Sequence, residues 1–282
     1  MTQPFLAAAI QLTSGDDIAA NIAQIAPLVA EAARAGAKLV ALPENAFFMR
    51  REGTVVTADV PMAQHEGIAW ARAAAREHGV ALLVGSIRAR EEGAALPYNR
   101  SVYIDANGEI AATYDKLHLF DVTLPSGDSY KESSQAQAGA QAVLLRTPQA
   151  ALGLSICYDL RFPALYRAQA LAGAQLLAVP SAFTRPTGQA HWHVLLRARA
   201  IENGCYVIAP AQAGTHPGGR ETYGHTLVVN PWGEIIAEAR DDAPQVVLAT
   251  IDPARVAAAR ASIPVLQHQR SIDGVRVIEV SA

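Results

Sequence analysis

The sequence is poor in cysteine, and it lacks any long apolar run. Its 282 residues include two cysteines, Cys157 and Cys205, which can form at most one bridge. A disulfide-stapled secreted fold is therefore excluded, and a reducing, cytoplasmic setting is expected. No stretch approaches the roughly 20 apolar residues of a membrane span. The N-terminus also lacks the basic start of a signal peptide, so we expect neither a membrane helix nor a leader.

Charge and aromatic content are also low, at 17% and 6% of the residues. Lys and Arg number 23 against 26 Asp and Glu, which gives a net charge of −3. No basic stripe is present, so we expect no nucleic-acid partner. What the chain does have is a hydrophobic share of 51%, enough at this length to bury a sizeable core without disulfides.

Short apolar runs bounded by Pro, Gly, Asn or Asp alternate with segments of helical spacing, and several of these runs are apolar on both faces. This pattern predicts an α/β fold with strands covered on both sides. The predicted strands are residues 5–12, 37–43, 80–86, 101–105, 152–157, 175–181, 205–211, 225–230 and 245–251. The predicted helices are 17–35, 64–78, 163–172 and 189–203. No internal repeat or change of composition divides the chain, so we expect a single domain over residues 1–282.

One segment breaks the alternation of strand and helix. Residues 117–140 are polar, rich in turn-forming residues and too long for an ordinary connection. Long loops in compact domains often carry function. We therefore expect a long functional loop there.

Cys157 closes the apolar run 152–157 and is followed by a turn into the next predicted helix. Strand ends are where α/β proteins place reactive groups, and the field of the following helix favours the thiolate. The backbone N–H of Tyr158 is a candidate donor to an oxyanion. Because free cysteines usually pack in a core, position alone leaves a nucleophile and a core residue equally open. Cys205, inside another apolar run, is predicted to be a core residue.

Two further ionisable residues have similar positions: Glu44 follows a predicted strand, and Lys116 follows the strand-like stretch 109–114. Partial desolvation of Glu44 by Phe47 or Phe48 would raise its pKa, as a general base requires. An N-cap or a surface acid is the plainer interpretation. Lys116 is a candidate to stabilise an oxyanion and to lower the pKa of a thiol, although a lone lysine is usually a solvated surface charge.

The histidines and glycines give little support to a cofactor. His191 and His193 are two residues apart in a predicted helix, so they face different sides, and no spacing in the chain fits a zinc pattern. A Cys–His dyad stays open, with His118, His191 or His225 as the base. The glycines form no phosphate-binding loop. We expect no metal and no nucleotide cofactor.

Three motifs, taken together and in order, resemble the nitrilase superfamily of carbon–nitrogen hydrolases. They are LPEN around Glu44, YDKLHLFD around Lys116 and ICYDLRFP around Cys157. The similarity continues through residues 180–183, 187–203, 223–234 and 263–270. Within the superfamily the chain looks most like the amidase branch, in particular the deaminated-glutathione amidases, through the runs HLFDVTLP, YKES, LLRARAIE and QHQR. The ω-amidases rank second.

The resemblance implies a four-layer α-β-β-α sandwich, commonly paired into a dimer through helices. It implies Glu44 as general base, Lys116 as oxyanion stabiliser and Cys157 as nucleophile, with no cofactor. It adds Glu132, in YKES, as a second glutamate of the catalytic set that positions the lysine or the substrate. From its local sequence alone, Glu132 is predicted to be only an exposed loop acid.

The implied reaction is hydrolysis of a small linear amide through a thioester, with deaminated glutathione as the expected substrate. Arg161, four residues after Cys157, is a candidate clamp for a keto-acid carboxylate, or equally a member of a structural ion pair with Asp159. Tyr158, Phe183 and Thr187 are assigned to the substrate pocket by position alone.

Other functions stay open from the sequence. An ω-amidase acting on α-ketoglutaramate or α-ketosuccinamate, a nitrilase, a β-ureidopropionase and a carbamoylase would use the same Glu–Lys–Cys set. An interaction subunit without catalysis is the non-enzyme alternative, and the four filled catalytic positions argue against it. Residues 253–282 are predicted to take part in subunit contacts of a homodimer or higher homo-oligomer, with packing on their own chain as the alternative.

Overall fold

The computed structural model describes residues 3–51, 59–124 and 127–280. The helices of this part of the chain are α1 (Ile18–Arg34), α2 (Glu66–His78), α3 (Pro163–Leu171), α4 (Arg185–Asn203), α5 (Pro253–Ser262) and α6 (Val265–His268). None of these helices has the length and apolar character needed to cross a bilayer.

The strands of the first half of the chain are β1 (Phe5–Gln11), β2 (Leu39–Ala41), β3 (Ala81–Ala89), β4 (Tyr98–Ile104), β5 (Ile110–Asp115), β6 (Asp121–Thr123), β7 (Ser129–Lys131) and β8 (Val143–Arg146). Those of the second half are β9 (Ala151–Leu154), β10 (Leu176–Ala178), β11 (Tyr206–Ala209), β12 (Ala213–Thr215), β13 (Glu221–Tyr223), β14 (Leu227–Val229), β15 (Ile235–Glu238) and β16 (Gln245–Ile251).

Most strands belong to two six-stranded sheets that share one pattern of pairing. The first has the order β16-β1-β2-β3-β4-β5, and the second the order β8-β9-β10-β11-β14-β15. In both, the second, third and fourth strands run parallel, and every other neighbouring pair is antiparallel. By its place in the strand order, β1 of the first sheet corresponds to β9 of the second. The turns after the parallel strands of both sheets carry polar residues.

Successive residues of β1 show how the layers are stacked. Ala8 and Ile10 pack with residues of α1 and α2, whereas Ala7 and Ala9 pack in the core shared with the second sheet. That core extends through the second sheet to side chains of α3 and α4. The layers are therefore helices, sheet, sheet and helices, which confirms the predicted four-layer sandwich.

All the predicted strands and helices are present, with bounds that differ by a few residues. Helix α4 begins at Arg185 rather than at 189, because Pro186 lies in the first turn, where a helix tolerates proline. Strands β8, β12, β13 and β15 were not predicted, since each has only three or four residues, too few for a clear strand pattern.

The prediction of one long loop over residues 117–140 is wrong. Strands β6 and β7 pair there as a hairpin, with Val122 opposite Tyr130, and a 3-10 helix follows at Glu132–Ser134. Residues 125 and 126 of this segment lie outside the described ranges. The hairpin was hidden because its strands are largely polar and exposed, and such strands lack the apolar alternation that marks a half-buried sheet.

Candidate active site

Glu44 lies in the turn after β2 and is almost fully buried. Its Oε1 accepts hydrogen bonds from Lys116 Nζ at 2.9 Å and Asn99 Nδ2 at 3.0 Å, and its Oε2 accepts one from the Ala182 N–H at 3.0 Å. The thiol of Cys157 lies beside the same carboxylate and helps to lower its pKa. This set of donors favours the ionised form of the side chain.

The pKa of Glu44 is lowered, although burial by itself acts to raise it. The charge of Lys116 and the hydrogen bonds from Cys157 and Lys116 outweigh that burial. The expectation of a raised pKa is therefore wrong. Phe47, which was expected to desolvate the carboxylate, packs its ring against His65 and Trp70 instead.

The turn that carries Glu44 is held by a bulge in the neighbouring strand β3. A side chain at Gly85 would place its Cβ 2.1 Å from the carbonyl oxygen of Leu42, so only glycine permits this approach. Beside it, Ser86 Oγ accepts the N–H of Asn45 at 3.0 Å. Asn45 has a φ of 56°, a conformation that non-glycine residues adopt mainly where surrounding structure enforces it.

Lys116 follows β5 and lies between two carboxylates, with 2% of its surface exposed. Its Nζ is 2.9 Å from Glu44 Oε1 and 2.9 Å from Glu132 Oε2. Burial acts to lower the pKa of Lys116, but the charges of Glu132 and Glu44 raise it well above its ordinary value. The lysine is therefore a fixed cation.

Glu132 reaches this cluster from the hairpin of β6 and β7. Its Oε2 accepts the N–H of Phe120 at 2.7 Å, and its Oε1 accepts Asn99 Nδ2 at 3.0 Å. The same Asn99 amide also binds Glu44, so one side chain spaces both acids around the lysine. Nothing in the local sequence of Asn99 pointed to this contact, because it depends on strands β4 and β5 lying side by side.

Cys157 begins a 3-10 helix, Cys157–Arg161, directly after β9. Its φ is 51°, and its N–H donates to the carbonyl of Pro180 at 2.9 Å. Burial and the nearby charge of Glu44 raise the pKa of the thiol, although Lys116 opposes them. The expected thiolate is therefore wrong, because burial and the carboxylate outweigh the helix field. The group is a neutral thiol beside a carboxylate.

Asp159 organises the turn around Cys157 and is completely buried. Its Oδ2 accepts from the Tyr114 hydroxyl at 2.7 Å and the Ile156 N–H at 2.9 Å. Its Oδ1 accepts from the His118 N–H at 3.0 Å and contacts His118 Nδ1 at 2.7 Å. With these partners Asp159 does not pair with Arg161, so the structural alternative for Arg161 is wrong.

A cavity of about 330 Å³ opens onto these groups. Its lining includes all four residues of the expected catalytic set and all four assigned to the substrate pocket: Glu44, Lys116, Glu132, Cys157, Tyr158, Arg161, Phe183 and Thr187. The structure thus brings every site residue named from the sequence to one place. The sequence did not point to Asn99, Arg50 or Arg220, which line the same cavity.

No histidine lines the cavity within the described ranges. His118 binds Asp159 and stacks on Phe162 at 3.6 Å between ring centroids, His191 contacts Arg161 at 3.3 Å, and His225 binds Glu238 at 2.7 Å. In a Cys–His dyad an imidazole would lie beside the Cys157 thiol. Here the carboxylate of Glu44 lies there. The dyad hypothesis is therefore wrong. Cys205 is buried in the core, as predicted.

The chain is similar to known proteins over nearly its whole length. Residues 6–261 match the carbon-nitrogen hydrolase family. The chain belongs to this family. A deaminated glutathione amidase from Synechocystis sp. is 43% identical to this carbon-nitrogen hydrolase in an alignment 277 positions long that covers 95% of the chain and 98% of the relative.

Two solved structures agree with the fold of this carbon-nitrogen hydrolase. The NitFhit protein of Caenorhabditis elegans has a TM-score of 0.88 and 39% identity, and the match covers 95% of this chain and 66% of that longer one. A variant of the amidase from Nesterenkonia sp. has a TM-score of 0.80 and 28% identity, over 95% of each chain. In that amidase the active-site cysteine carries a covalently added acetamide moiety. The resemblance seen in the sequence is confirmed.

Proposed function

We propose that this carbon-nitrogen hydrolase is a deaminated glutathione amidase. It cleaves the amide that joins an α-keto dicarboxylate to cysteinylglycine and so takes part in metabolite repair. The observation that carries the proposal is a buried thiol that lies with Glu44 and a fixed lysine cation in one cavity, which also has several other cationic side chains. The Synechocystis relative, which carries that name, supports the choice of substrate.

The first half of the reaction forms a thioester. Glu44 takes the thiol proton while the sulfur of Cys157 attacks the amide carbon. Lys116 Nζ and the N–H of Tyr158 bind the oxyanion; this N–H lies in the first turn of its 3-10 helix and so has no helical acceptor. When the tetrahedral intermediate collapses, Glu44 returns the proton to the amino group of cysteinylglycine, which leaves.

The second half releases the acid. Glu44 takes a proton from water as the water oxygen attacks the thioester carbon, and the same two donors bind the new oxyanion. Collapse breaks the carbon–sulfur bond, frees the dicarboxylate and returns the proton to the Cys157 sulfur. Glu132 acts as a positioning residue, since it holds Lys116 between two carboxylates through both of its oxygens.

The cationic side chains of the cavity support an anionic substrate. Arg161 lies over the rings of Tyr158 and Phe183, at 5.9 Å and 5.4 Å from their centroids. Arg220 lies 5.8 Å from the centroid of Tyr130. Within the described part of the chain neither arginine pairs with a carboxylate, whereas Glu44 and Glu132 are both held by Lys116. Deaminated glutathione has a carboxylate at each end, and a guanidinium binds such a group with two donors.

The test is a comparison of three substrates with purified enzyme: deaminated glutathione, α-ketoglutaramate and a plain nitrile. Release of cysteinylglycine reports on the first, and release of ammonia on the other two. We expect kcat/KM to favour deaminated glutathione by roughly several tens-fold, since its second carboxylate gains a partner. Cys157→Ala should abolish turnover, and Cys205→Ala, the matched control in the core, should keep it.

Two other outcomes would change the proposed substrate or the proposed mechanism. A preference for α-ketoglutaramate would make the enzyme an ω-amidase with the same mechanism. Normal turnover by Cys157→Ala would exclude the thioester route.

We also propose that the enzyme works as a homodimer in the cytoplasm. Large apolar side chains are exposed on α3, α4 and the turn before β15, namely Leu171, Val194, Ile201 and Trp232, and a second copy would cover them. Both cysteines are free and buried, and a nucleophilic thiol is kept reduced in that compartment.

A further inference from the structure

Three side chains from separate segments of the second half of the chain converge outside the catalytic cavity. They are His193 on α4, His225 just before β14 and Glu238 at the end of β15, and their ligand atoms all lie within 4.8 Å of one another. None of them lines the cavity, and the proposed reaction uses none of them. We propose that these three residues bind a divalent transition-metal ion of the zinc class.

The geometry of the cluster is close to that of a metal site. His193 Nε2 and His225 Nδ1 lie 2.9 Å and 2.7 Å from the same oxygen, Glu238 Oε1. Bonds of about 2.0–2.1 Å in a tetrahedral zinc site place neighbouring ligand atoms about 3.3 Å apart. The observed contacts need to open by only about half an ångström, which small side-chain rotations supply.

The ligands are held in place by the structure around them. His225 has a φ of 54°, its carbonyl accepts Trp192 Nε1 at 2.8 Å, and its ring stacks on Tyr223 at 4.3 Å. Glu238 lies opposite Leu227 in the pairing of β14 and β15. His193 and Glu238 stand on regular elements, and the connection that carries His225 is anchored by its backbone hydrogen bond, so the site is more exact than one on free loops.

The donor set selects the class of ion. Two imidazole nitrogens and one carboxylate oxygen suit zinc, cobalt or nickel, whereas magnesium and calcium prefer oxygen ligands only. The three side chains are between 29% and 39% exposed, so an ion can enter from solvent. Water would complete its coordination.

A bound ion would link helix α4 to the second sheet and so act as a structural cross-link. Helix α4 also carries Thr187, which lines the catalytic cavity. Trp192 of the same helix packs on Phe183 of that cavity at 5.0 Å between ring centroids. The ion would therefore stiffen one wall of the substrate pocket without taking part in the chemistry.

The first test is a zinc titration of the full chain after treatment with a chelator, followed by calorimetry. We expect one equivalent of zinc to bind and the melting temperature to rise by several degrees, because the ion binds only the folded state. His193→Gln and Glu238→Gln should each lose this binding. His78→Gln, which changes a histidine on α2, and Cys157→Ala, which removes the cavity thiol, should keep it.

A second measurement does not depend on the folding of any variant. Cobalt added to the wild-type chain should give the visible bands of a nitrogen- and oxygen-bound ion, without the intense charge-transfer band of a thiolate ligand. A thiolate band, or zinc binding unchanged in Glu238→Gln, would overturn the proposal. So would the absence of any zinc binding to the wild-type chain, which would leave the cluster as a hydrogen-bonded network only.

Discussion

Glu44 and Cys157 are held in a defined protonation state before any substrate binds. The cluster contains one cation, Lys116, and two carboxylates, Glu44 and Glu132, all buried or partly buried. A thiolate would add a second excess negative charge at a desolvated site, which is costly. The thiol therefore stays protonated, and in the proposed reaction it becomes nucleophilic only when Glu44 removes its proton during attack.

This arrangement fixes the pH dependence of kcat/KM. The proposed reaction needs ionised Glu44, whose pKa lies below its ordinary value of 4.5, so activity is lost only as the pH falls through that lowered pKa. On the alkaline side, the pKa of Lys116 lies well above its ordinary 10.5 and that of the Cys157 thiol above its ordinary 9.0. We expect a plateau from about pH 5 to about pH 9.

The measurement is kcat/KM across that range, with unfolding followed in parallel as the control. A steep loss of activity between about pH 7 and pH 6, where histidines titrate, would contradict the proposed role of Glu44 and point to an imidazole base.

Prediction from the sequence pointed to residues of the cavity where a residue follows a strand. Glu44, Lys116 and Cys157 all do so, and the resemblance added Glu132. It failed for the pKa of Glu44, because the cation that sets it stands 72 positions away in the chain. It also failed to connect Asn99 with the acids, since a short polar strand residue gives no local signal. The catalytic roles themselves stay predictions.

At the scale of the elements, the turn after β9 depends on one buried side chain, Asp159. Asp159 receives hydrogen bonds from Tyr114, the backbone of Ile156 and the backbone of His118. These bonds tie the end of β5 to the turn that presents Cys157. We infer that Asp159 is why a non-glycine residue holds a positive φ at the start of this turn.

Asp159→Ala should therefore destabilise the protein strongly. Removing the carboxylate leaves several buried donors unsatisfied, at about 1–3 kcal/mol each, so we expect a loss of about 3 kcal/mol or more. The midpoint of urea unfolding measures the change. Tyr114→Phe removes a single partner and should cost about 1 kcal/mol. An equal effect of the two substitutions would show that Asp159 does not hold the turn together.

The hairpin of β6 and β7 shows why elements differ in predictability. Long amphipathic helices such as α1 carry their period in the sequence, and they were predicted closely. The hairpin has only three residues in each strand, and Glu132, which directly follows it, forms an ion pair with Lys116. Because that contact is made with a residue outside the hairpin, no local sequence pattern predicts it.

At the scale of the whole molecule, the two sheets repeat one topology although the sequence shows no repeat. Each half contributes a strand turn to the cavity: Glu44 follows β2 of the first sheet, and Cys157 follows β9 of the second. The cavity therefore lies where the two sheets meet, and the relative position of Glu44 and Cys157 depends on how these sheets pack. That the whole chain forms one domain stays a prediction.

The C-terminal segment divides into two parts with different surroundings. Helix α5 packs on its own chain: Val256 is buried, and Arg260 Nη2 donates to the carbonyls of Ala174 at 2.6 Å and Asn203 at 3.1 Å. Residues 269–280 have no regular structure and are exposed, and they include the apolar side chains Ile272, Val275, Val277, Ile278 and Val280. Only this second part is free to cover another subunit.

A chain that ends after His268 separates these two parts, since it keeps α5 and removes only the exposed segment. We expect light scattering to give about twice the chain mass of 29.8 kDa for the full chain and a mass near that of one chain for the truncated form. Burial of exposed apolar side chains is what would hold the two copies together. Unchanged melting of the truncated chain at low concentration is the control for folding. A truncated chain that still pairs would place the contact on α3, α4 and the turn before β15, and a monomeric full chain would contradict the homodimer.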